Sequence, residues 1–514
     1  MSIAQPAAVA PRRSLELAPD RVLRDKRQPY AVVDIGSNSV RLVVYDQLGR
    51  APFPRFNEKS LCRLAEGLDE TGVIADTGFR RTVEATRRFR AIADAMGVAR
   101  IDVLATEATR RATNGAELVG AIGREAGLEV RVLTGTEEAR YASLGVISGF
   151  YRPVGLVGDM GGGSLELAEI EDDRIGDRSV SLPLGALPTQ ALMARYGEAA
   201  KDRIDAILAE ALSPPPARAV FYPVGGGWRA LAKAHIQMTG APVQVVHGYR
   251  IDVKTARDFA KSLWRMPDKA LGKLKGVPAR RGKTLAAAAL VLDRVLKFAG
   301  PQEVVFSALG VREGWLYSQL SEAERYFDPL IEGAQTFATP LSRVPEFGPA
   351  LDRWTASLFP GETQAEQRLR VAACALSDIG WRDHADLRAG EAFRRLVHFP
   401  FIGVDHAERV FLGAAIHARY SGAADDPALG PAIGLLDADT RHRAEVLGRA
   451  MQLGYRLSGG VPGILDGASL ARKGQNLVMQ VGTTARVPDS EVVSSRLQML
   501  ADALGAKPMI VEVA

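Results

Sequence analysis

The stretch "GDMGGGSLELAEI" (Gly158–Ile170) decides the fold, because it places three consecutive glycines between two apolar segments that are typical of β-strands. Consecutive glycines weaken a strand, since they cost backbone entropy and supply no side chain to pack. They are favoured where a turn needs unusual dihedral angles, or where a ligand must come closer to the backbone than a Cβ would permit. The stretch therefore predicts a tight hairpin whose backbone serves a function.

Two further segments repeat this glycine pattern. "YAVVDIGSNSVRLVVYD" (Tyr30–Asp46) has β-branched runs on both sides of "GSNS", which predicts a second strand–turn–strand unit. Asp34 and Asp159 begin the matching Asp-x-Gly turns, and helical segments follow each unit, which indicates a weak internal duplication. A third glycine turn, in "VFYPVGGGWRALAKAH" (Val220–His235), joins a predicted strand to a predicted helix.

The three turns together predict a phosphate site. Backbone N–H groups that converge in a tight turn bind phosphate oxygens, and glycine lets the backbone approach closely enough. The hydroxyls of Ser37, Ser39 and Ser164 add hydrogen-bond donors. One glycine turn alone is common in ordinary hairpins, whereas two matching hairpin turns and a third turn before a helix are far more specific.

Carboxylates beside these turns predict a metal. Asp34 and Asp159 end apolar strands directly before the glycines, so we expect them to face each other across a cleft. Paired carboxylates at a phosphate site ordinarily hold Mg²⁺, often through water. Glu166, on the returning strand, can reach the same metal, and its alternative interpretation is an exposed charge on an alternating strand.

An arginine and a general base complete the predicted chemistry. Arg110 follows a strand end in "ATEATRRATN" and suits a bidentate grip on phosphate, with the adjacent Arg111 as an alternative and Asn114 as a further polar contact. Hydrolysis of a phosphoanhydride also needs a carboxylate that activates water. "TGTEEAR" offers Glu137 and Glu138 in the first turn of a helix for which we predict Thr136 as the N-cap. Spacing alone does not choose between these two glutamates.

The length and composition predict a soluble protein of several domains. A chain of 514 residues is too long for one core, and about three domains are expected. No apolar run reaches the roughly 18 residues that span a bilayer. Two cysteines, Cys62 and Cys374, exclude a disulfide framework and fit a reducing cytoplasm. The Ala-, Pro- and Arg-rich N-terminus lacks the apolar segment of a signal peptide, and we expect it to be disordered up to about Arg27.

The charge permits a polyanionic partner. The formal net charge is +5, and Arg265–Lys283 carries seven basic residues against one acidic residue. This segment is either a solvated surface or a groove for an anionic chain. Beyond about Ser318–Leu341 the strand signals become sparse and alanine-rich helical patterns dominate, with a small α/β tail predicted in "QNLVMQVGTTARV" and "KPMIVEVA".

The motifs together resemble those of the exopolyphosphatase/guanosine pentaphosphate phosphohydrolase family, within the actin-like ATPase superfamily. The resemblance covers Tyr30 to Leu316 and rests on "DIGSNSVRLVVYD", "ATEATRRATN", "GTEEARYASLGV", "DMGGGSLELAEI", "LPLGAL", "VGGGWRALAKAH" and "GVREGWLY". It implies an α/β fold of two actin-like (ribonuclease H-like) lobes with a cleft between them, followed by a mostly helical, HD-like C-terminal domain. The implied divisions are a disordered tail (1–28), lobe I (29–152), lobe II (153–325) and the C-terminal domain (326–514).

The same resemblance implies roles for single residues. Glu138 corresponds to the catalytic glutamate, and Asp159 and Glu166 correspond to the residues that hold the metal. The implied substrate-binding residues are Asp34, Gly36, Ser37, Asn38, Ser39, Arg110, Asn114, Gly161, Gly162, Gly163, Ser164, Gly225 and Gly226.

The implied activity is Mg²⁺-dependent, processive release of terminal phosphate from inorganic polyphosphate. Hydrolysis of guanosine pentaphosphate at the same site is the nearest alternative, a sugar or acetate kinase is more distant, and a non-catalytic polyphosphate or nucleotide sensor belongs to a different class. We expect a cytoplasmic homodimer that binds neither nucleic acid nor membrane.

Two segments depart from the family pattern. "RRGK" (Arg280–Lys283) stands where family members often carry Arg-Ala-Asp. Ser377 and Asp378 stand where the His-Asp or His-Glu pair of an HD domain would fall, although His384, His398, His406 and His417 are nearby. The C-terminal domain is accordingly expected to bind polyanion and form the dimer, with a second metal-dependent hydrolase site as the alternative.

Overall fold

The computed structural model describes residues 14–18, 28–212, 219–275, 277, 282–422, 425–482 and 490–513. These residues form two compact units. The first unit runs from Lys26 to Gln319 and takes in Ile402–Asp405. The second unit holds Leu320–Phe401, the described residues from His406 onward, and residues 14–18. Parts of the basic segment Arg265–Lys283, including Arg280 and Arg281, lie outside the described residues.

Lobe I of the first unit is built on a sheet in the order β3-β2-β1-β4-β5. Its strands are β1 (Tyr30–Ile35), β2 (Val40–Tyr45), β3 (Pro54–Ser60), β4 (Arg100–Ala105) and β5 (Val130–Val132). β1, β2 and β3 pair antiparallel, whereas β4 joins β1 and β5 in parallel. The accompanying helices are α1 (Leu68–Thr71), α2 (Asp76–Ala95), α3 (Glu107–Arg111), α4 (Gly115–Ala126) and α5 (Gly135–Gly149).

Lobe II contains a sheet in the order β10-β11-β9-β6-β7-β8. Its strands are β6 (Val154–Met160), β7 (Leu165–Glu171), β8 (Arg174–Leu182), β9 (Val220–Val224), β10 (Tyr249–Asp252) and β11 (Glu303–Phe306). Its helices are α6 (Ala186–Tyr196), α7 (Ala200–Ala211), α8 (Gly226–Thr239), α9 (Val253–Trp264), α10 (Asp268–Leu271), α11 (Gly282–Ala299) and α12 (Val311–Ser318). Phe221, Trp228 and Leu290 are buried in one core, which fixes the sheet against α8 and α11.

Helices α5 and α12 cross between the lobes. α5 follows the lobe I sheet in sequence but packs on β6, β7 and β8, whereas α12 follows the lobe II sheet and contacts lobe I, where the Trp315 indole donates to Asp102 over 2.6 Å. The two helices also pack on each other, with the Tyr141 and Trp315 rings edge to face at 5.2 Å. A Cβ on Gly314 would overlap the carbonyl oxygen of Tyr141. Glycine is therefore required for the backbones to come this close.

The second unit is mostly helical. Its helices are α13 (Glu322–Arg325), α14 (Pro329–Ala338), α15 (Phe347–Ala356), α16 (Gln364–Leu376), α17 (Arg388–His398), α18 (His406–Arg419), α19 (Ala438–Ser458), α20 (Pro462–Asp466) and α21 (Glu491–Ala503). A small sheet, β12-β13-β14, ends it: β12 (Ala468–Lys473), β13 (Asn476–Gly482) and β14 (Lys507–Val513).

The structure confirms the predicted fold class of two α/β lobes and a mostly helical C-terminal region. It departs from the expected disorder of the N-terminal tail at residues 14–18, where the Ser14 amide donates to the Tyr326 carbonyl over 3.3 Å. None of the helices in the described part of the chain combines the length and apolar character needed to cross a membrane.

We predict that Gly314→Ala lowers the free energy of unfolding by about 1–3 kcal/mol, because the added methyl group forces α5 and α12 apart. Urea denaturation followed by tryptophan fluorescence measures this loss. Gly123→Ala in α4 is the matched control, since its Cβ would lie 3.9 Å from the Leu128 carbonyl oxygen, an ordinary van der Waals distance. Alanine should be neutral or mildly stabilising there, and equal losses in both variants would contradict the packing argument.

Candidate active site

Two equivalent hairpin turns form the centre of the site. β1 and β2 are joined at Gly36–Ser39, where the Gly36 amide donates to the Ser39 carbonyl over 3.1 Å. β6 and β7 are joined at Gly161–Ser164, where the Gly161 amide donates to the Ser164 carbonyl over 3.0 Å. The same bond closes both four-residue turns, as the matching Asp-x-Gly patterns predict.

The glycines of the second turn are needed partly for packing. A Cβ on Gly162 would lie 2.7 Å from Cβ of Ser37, so the two turns touch across the cleft. A Cβ on Gly163 would overlap the carboxylate of Glu107, and the Gly163 backbone also lies against Gly185. The sequence suggests that these glycines give a ligand access to the backbone. The structure adds a second reason, because the absence of side chains also lets the two lobes approach each other.

A cavity of about 830 Å³ opens beside the two turns. Most of the predicted site residues line it: Asp34, Gly36, Ser37, Asn38, Ser39, Glu138, Asp159, Gly161, Gly162, Gly163, Ser164, Glu166, Gly225 and Gly226. The third glycine turn contributes Gly225, whose φ of 107° lies in the region that favours glycine. A Cβ there would lie 3.1 Å from Oδ1 of Asp159. The start of α8 thus lies directly beside the Asp159 carboxylate.

The cavity carboxylates have raised pKa values because they are removed from water and lie close together. Burial raises the pKa of Glu138 to about 7, against the opposing effect of Arg110. Burial and the nearby Glu138 raise the pKa of Glu166 to about 8, and burial raises that of Asp159 to about 6. A bound cation would stabilise the ionised form of these buried carboxyl groups and so lower their pKa values again.

The structure separates the two candidate bases. Thr134, not the predicted Thr136, caps α5, because its hydroxyl accepts from the Glu137 amide over 3.1 Å. The Glu137 carboxylate completes this capping box by accepting from the Thr134 amide, and it also binds Arg131 over 2.6 Å. Glu138 is buried and lines the cavity instead. Sequence spacing cannot show this difference, because the position of the cap decides which glutamate points inward.

Arg110 and Asn114 do not line the cavity. Arg110 donates to Oε1 of Glu138 over 2.5 Å and to the Leu133 carbonyl, so it positions the glutamate. The Asn114 side chain bonds the Ile74 backbone at both ends, accepting from its amide over 2.9 Å and donating to its carbonyl over 3.0 Å. This amide fixes a loop of lobe I, and the structure does not bring it to the cavity.

Sequence reasoning missed several charged residues of the cavity. Arg312, at the start of α12, donates to Oδ2 of Asp34 over 3.3 Å. Glu313 accepts from the Tyr45 hydroxyl over 2.7 Å and from the Gly310 amide over 2.9 Å. Burial alone would raise the pKa of Glu313, but Arg312 and these donors lower it. The other missed charged residues are Arg41, Lys59, Arg63, Glu66, Glu107 and Arg229.

The sequence contains a local pattern from which three of the missed arginines could have been predicted. Arg229 and Arg312 each follow a glycine turn at the start of a helix, in "VGGGWR" and "GVREG". Arg41 lies directly opposite Asp34 in the β1–β2 register. The sequence therefore contained the motifs, but it did not show that their side chains point into one cavity.

The acidic residues suit a hard cation shared with a ligand. Asp159 and Glu166 are direct partners in the β6–β7 register, and the Ser181 hydroxyl donates to Oε1 of Glu166 over 2.9 Å. Within the described residues, no three His, Cys, Asp or Glu side chains form a group that could hold a metal by themselves. Mg²⁺ typically uses one or two carboxylates together with substrate phosphates, so a pair of this kind fits it.

In the C-terminal unit, arginine side chains bind the carboxylate that the alternative second hydrolase site would use. Asp378 accepts from the Arg343 side chain over 2.6 and 2.9 Å. The Arg419 guanidinium lies 3.8 Å from the centroid of the Tyr455 ring and 3.5 Å from the Asp378 carboxylate. Ser377 bonds the Tyr455 hydroxyl over 3.1 Å. These residues form an arginine–aromatic cluster around a single buried carboxylate, which is a poor donor set for a cation.

A two-lobed α/β fold with paired glycine turns beside a cavity lined by carboxylates suits phosphoryl transfer. Residues 32–323 match the Ppx/GppA phosphatase family, and residues 330–511 match the family described as "Exopolyphosphatase, C-terminal". The chain therefore belongs to the Ppx/GppA phosphatase family and is a phosphatase.

Individual proteins and a solved structure are also similar to this chain. Exopolyphosphatase 1 of Mycobacterium tuberculosis is 31% identical over 315 residues, which cover 57% of this chain and 89% of that protein. Retrograde regulation protein 2 of Saccharomyces cerevisiae is 28% identical over 76% of this chain and 72% of its own length. The crystal structure of the Aquifex aeolicus Ppx/GppA family member is 27% identical, with a TM-score of 0.50, and covers 57% of this chain and 97% of its own.

We predict that Tyr45→Phe lowers the free energy of unfolding by about 1–3 kcal/mol, because it removes a hydrogen bond to a buried carboxylate. Chemical denaturation measures the change. Tyr196→Phe, which keeps a ring contacted by Arg195 and Arg203, is the matched control and should change little. An unchanged stability of Tyr45→Phe would show that the Glu313 contact contributes nothing to the joining of the lobes.

Proposed function

We propose that this protein is an exopolyphosphatase that hydrolyses the terminal phosphate of inorganic polyphosphate, with Glu138 activating water. The observation that carries the proposal is the position of Glu138. It is buried, lines the cavity beside both glycine turns, and is held by Arg110 over 2.5 Å, whereas Glu137 is used in the helix cap.

The reaction follows from the groups around the cavity. The backbone amides of Ser37–Ser39 and Gly162–Ser164 bind the terminal phosphate, and Arg229 and Arg312 offset its charge. Water attacks the terminal phosphorus, its proton passes to Glu138, and the bridging P–O bond breaks, so that the shortened chain leaves as an oxyanion. A base works best when its pKa lies near the working pH, and the pKa of Glu138, about 7, meets this condition.

The proposed cofactor is Mg²⁺, held by Asp159 and Glu166 together with substrate oxygens. When bound, it neutralises negative charge that develops on the transferred phosphate. Support comes from the register of the two carboxylates and from their raised pKa values, which a cation would lower again.

We propose polyphosphate rather than guanosine pentaphosphate as the substrate for two reasons. The similar protein of Mycobacterium tuberculosis is named exopolyphosphatase 1, and the net charge of +5 suits a long polyanion. Guanosine pentaphosphate would use the same turns and the same base. We further propose a cytoplasmic homodimer and keep the domain divisions 1–28, 29–152, 153–325 and 326–514.

We predict that Glu138→Gln lowers the rate of phosphate release from long-chain polyphosphate at least about 100-fold, because the amide cannot accept the proton of water. Phosphate release in the presence of Mg²⁺ is measured for wild type and variant, with guanosine pentaphosphate as a second substrate.

Glu137→Gln is the matched control, since glutamine still completes a capping box. It should keep most of the activity. A greater loss in this variant than in Glu138→Gln would show that the base is misassigned. No release by wild type from either substrate would favour the sensor alternative, and faster release from guanosine pentaphosphate would reverse the order of the two substrates.

We also predict that Asp159→Asn raises the Mg²⁺ concentration for half-maximal rate at least about tenfold, because it removes one of two charged ligands. The chelator-treated enzyme is titrated with Mg²⁺ at fixed polyphosphate. Asp173→Asn, an exposed change between β7 and β8, is the control. An identical Mg²⁺ dependence in the two variants would place the cation elsewhere.

A further inference from the structure

The start of α6 holds the carbonyl groups of the second glycine turn, Gly161–Ser164. Three consecutive carbonyls of the turn accept hydrogen bonds from three consecutive amides at the beginning of this helix. The bonds run from Ala186 to Gly161 over 3.1 Å, from Leu187 to Gly162 over 2.8 Å, and from Gly185 to Gly163 over 3.3 Å. The first amides of a helix have no partner within the helix, so they are available for such contacts.

This arrangement decides where the amides of the turn point. In a trans peptide the C=O and the N–H point in opposite directions. Because the three carbonyls point toward α6, the amides that follow them, those of Gly162, Gly163 and Ser164, point away from it. A peptide whose carbonyl accepts a hydrogen bond is also polarised, which makes its N–H a stronger donor. The contact with α6 therefore orients three amides of the turn together for an anion.

The first turn, Gly36–Ser39, is held in the same way by the loop between β3 and α1. The Ser37 carbonyl accepts from the Ala65 amide over 2.9 Å, and the Asn38 carbonyl accepts from the Arg63 amide over 3.1 Å. Arg63 has a φ of 55°, which is uncommon for a residue with a side chain. Such conformations persist where the surrounding structure imposes them, and they cluster at functional sites. A loop and a helix thus impose the same carbonyl direction on the two turns.

Gly185 allows α6 to come close to the second turn. A Cβ at this position would lie 2.2 Å from the Gly163 carbonyl carbon and 2.4 Å from the Ser164 nitrogen. The φ of −66° and ψ of 173° at Gly185 are open to any residue, so the close packing, not the backbone conformation, requires glycine. Gly185 belongs to the motif "LPLGAL" (Leu182–Leu187), for which the chemistry proposed above has no role.

We propose that Gly185 is a positioning residue for phosphate binding. It lets α6 hold the carbonyls of the second turn, and this contact keeps the amides of the turn directed at the phosphate. The inference deepens the proposed function and rests on it for the identity of the ligand, a phosphate group. A residue that only packs lobe II would change stability alone, whereas a positioning residue changes the affinity for phosphate in protein that is still folded.

Two variants test this role. Gly185→Ala pushes α6 away from the turn, and we expect the dissociation constant of inorganic phosphate and the KM for polyphosphate each to rise at least about tenfold. Ala186→Pro removes one of the three donors and should raise both constants at least about threefold. Proline is favoured at the first position of a helix, and the extended Gly185 suits a residue that precedes proline, so this variant should fold.

Isothermal titration calorimetry with inorganic phosphate in the presence of Mg²⁺ measures binding without turnover, and phosphate release from polyphosphate gives KM. Gly155→Ala is the matched control, because its Cβ would lie 2.3 Å from the Val220 carbonyl oxygen, at the end of β6 away from the cavity. It should lose stability but bind phosphate like wild type. Thermal melting followed by circular dichroism checks each variant, and Ala186→Pro decides the test alone if Gly185→Ala does not fold.

Folded Gly185→Ala and Ala186→Pro variants that bind phosphate like wild type overturn the positioning role. Equal weakening of phosphate binding in Gly155→Ala also overturns it, because the effect is then one of packing. If wild type releases no phosphate from polyphosphate but Gly185→Ala still weakens the binding of inorganic phosphate, the proposed function is wrong and the positioning role stands. A wild-type protein that does not bind inorganic phosphate overturns the positioning role.

Discussion

The contact between the two hairpin turns is the constraint on which the site depends. Gly162 lies against Ser37, and a Cβ at Gly162 would come within 2.7 Å of the serine Cβ, so the lobes reach this spacing only with a bare backbone. The crossing helices α5 and α12 also require a bare backbone, because Gly314 lies against the Tyr141 carbonyl. Close backbone approach at both places fixes the distance between the sheets, and this distance in turn brings carboxylates from both lobes into one cavity.

Bringing several buried carboxylates together in this cavity costs electrostatic free energy, and the neighbouring groups stabilise some of these carboxylates more than others. Glu313 is fully compensated, since Arg312, Tyr45 and the Gly310 amide all stabilise its ionised form. Glu166 is not, because burial and the neighbouring Glu138 raise its pKa to about 8. Both carboxylates line the cavity, and Glu313 also joins the lobes through its hydrogen bond from Tyr45. A cation bound together with a polyanion would stabilise the ionised form of those carboxylates whose pKa the protein raises.

Much of this fold could be predicted from sequence, because local patterns determine hairpins and glycine turns. The two Asp-x-Gly turns and the strand-to-helix turn at Gly225 are such features. Side-chain direction depends on details that sequence does not contain. The cap at Thr134 turns Glu137 outward and Glu138 inward. The Asn114 side chain is held away from the cavity by its hydrogen bond from the Ile74 amide. Arg312 was missed because its partner, Asp34, is distant in sequence and adjacent only through the crossing of α12.

The proposed chemistry lies within one of the two compact units. The proposed base, both glycine turns and the carboxylate pair belong to residues 34–166, within the first unit. Each unit is compact, with its own sheet and helices. The assignment of Glu138 as the proposed base therefore rests on contacts made within the first unit alone.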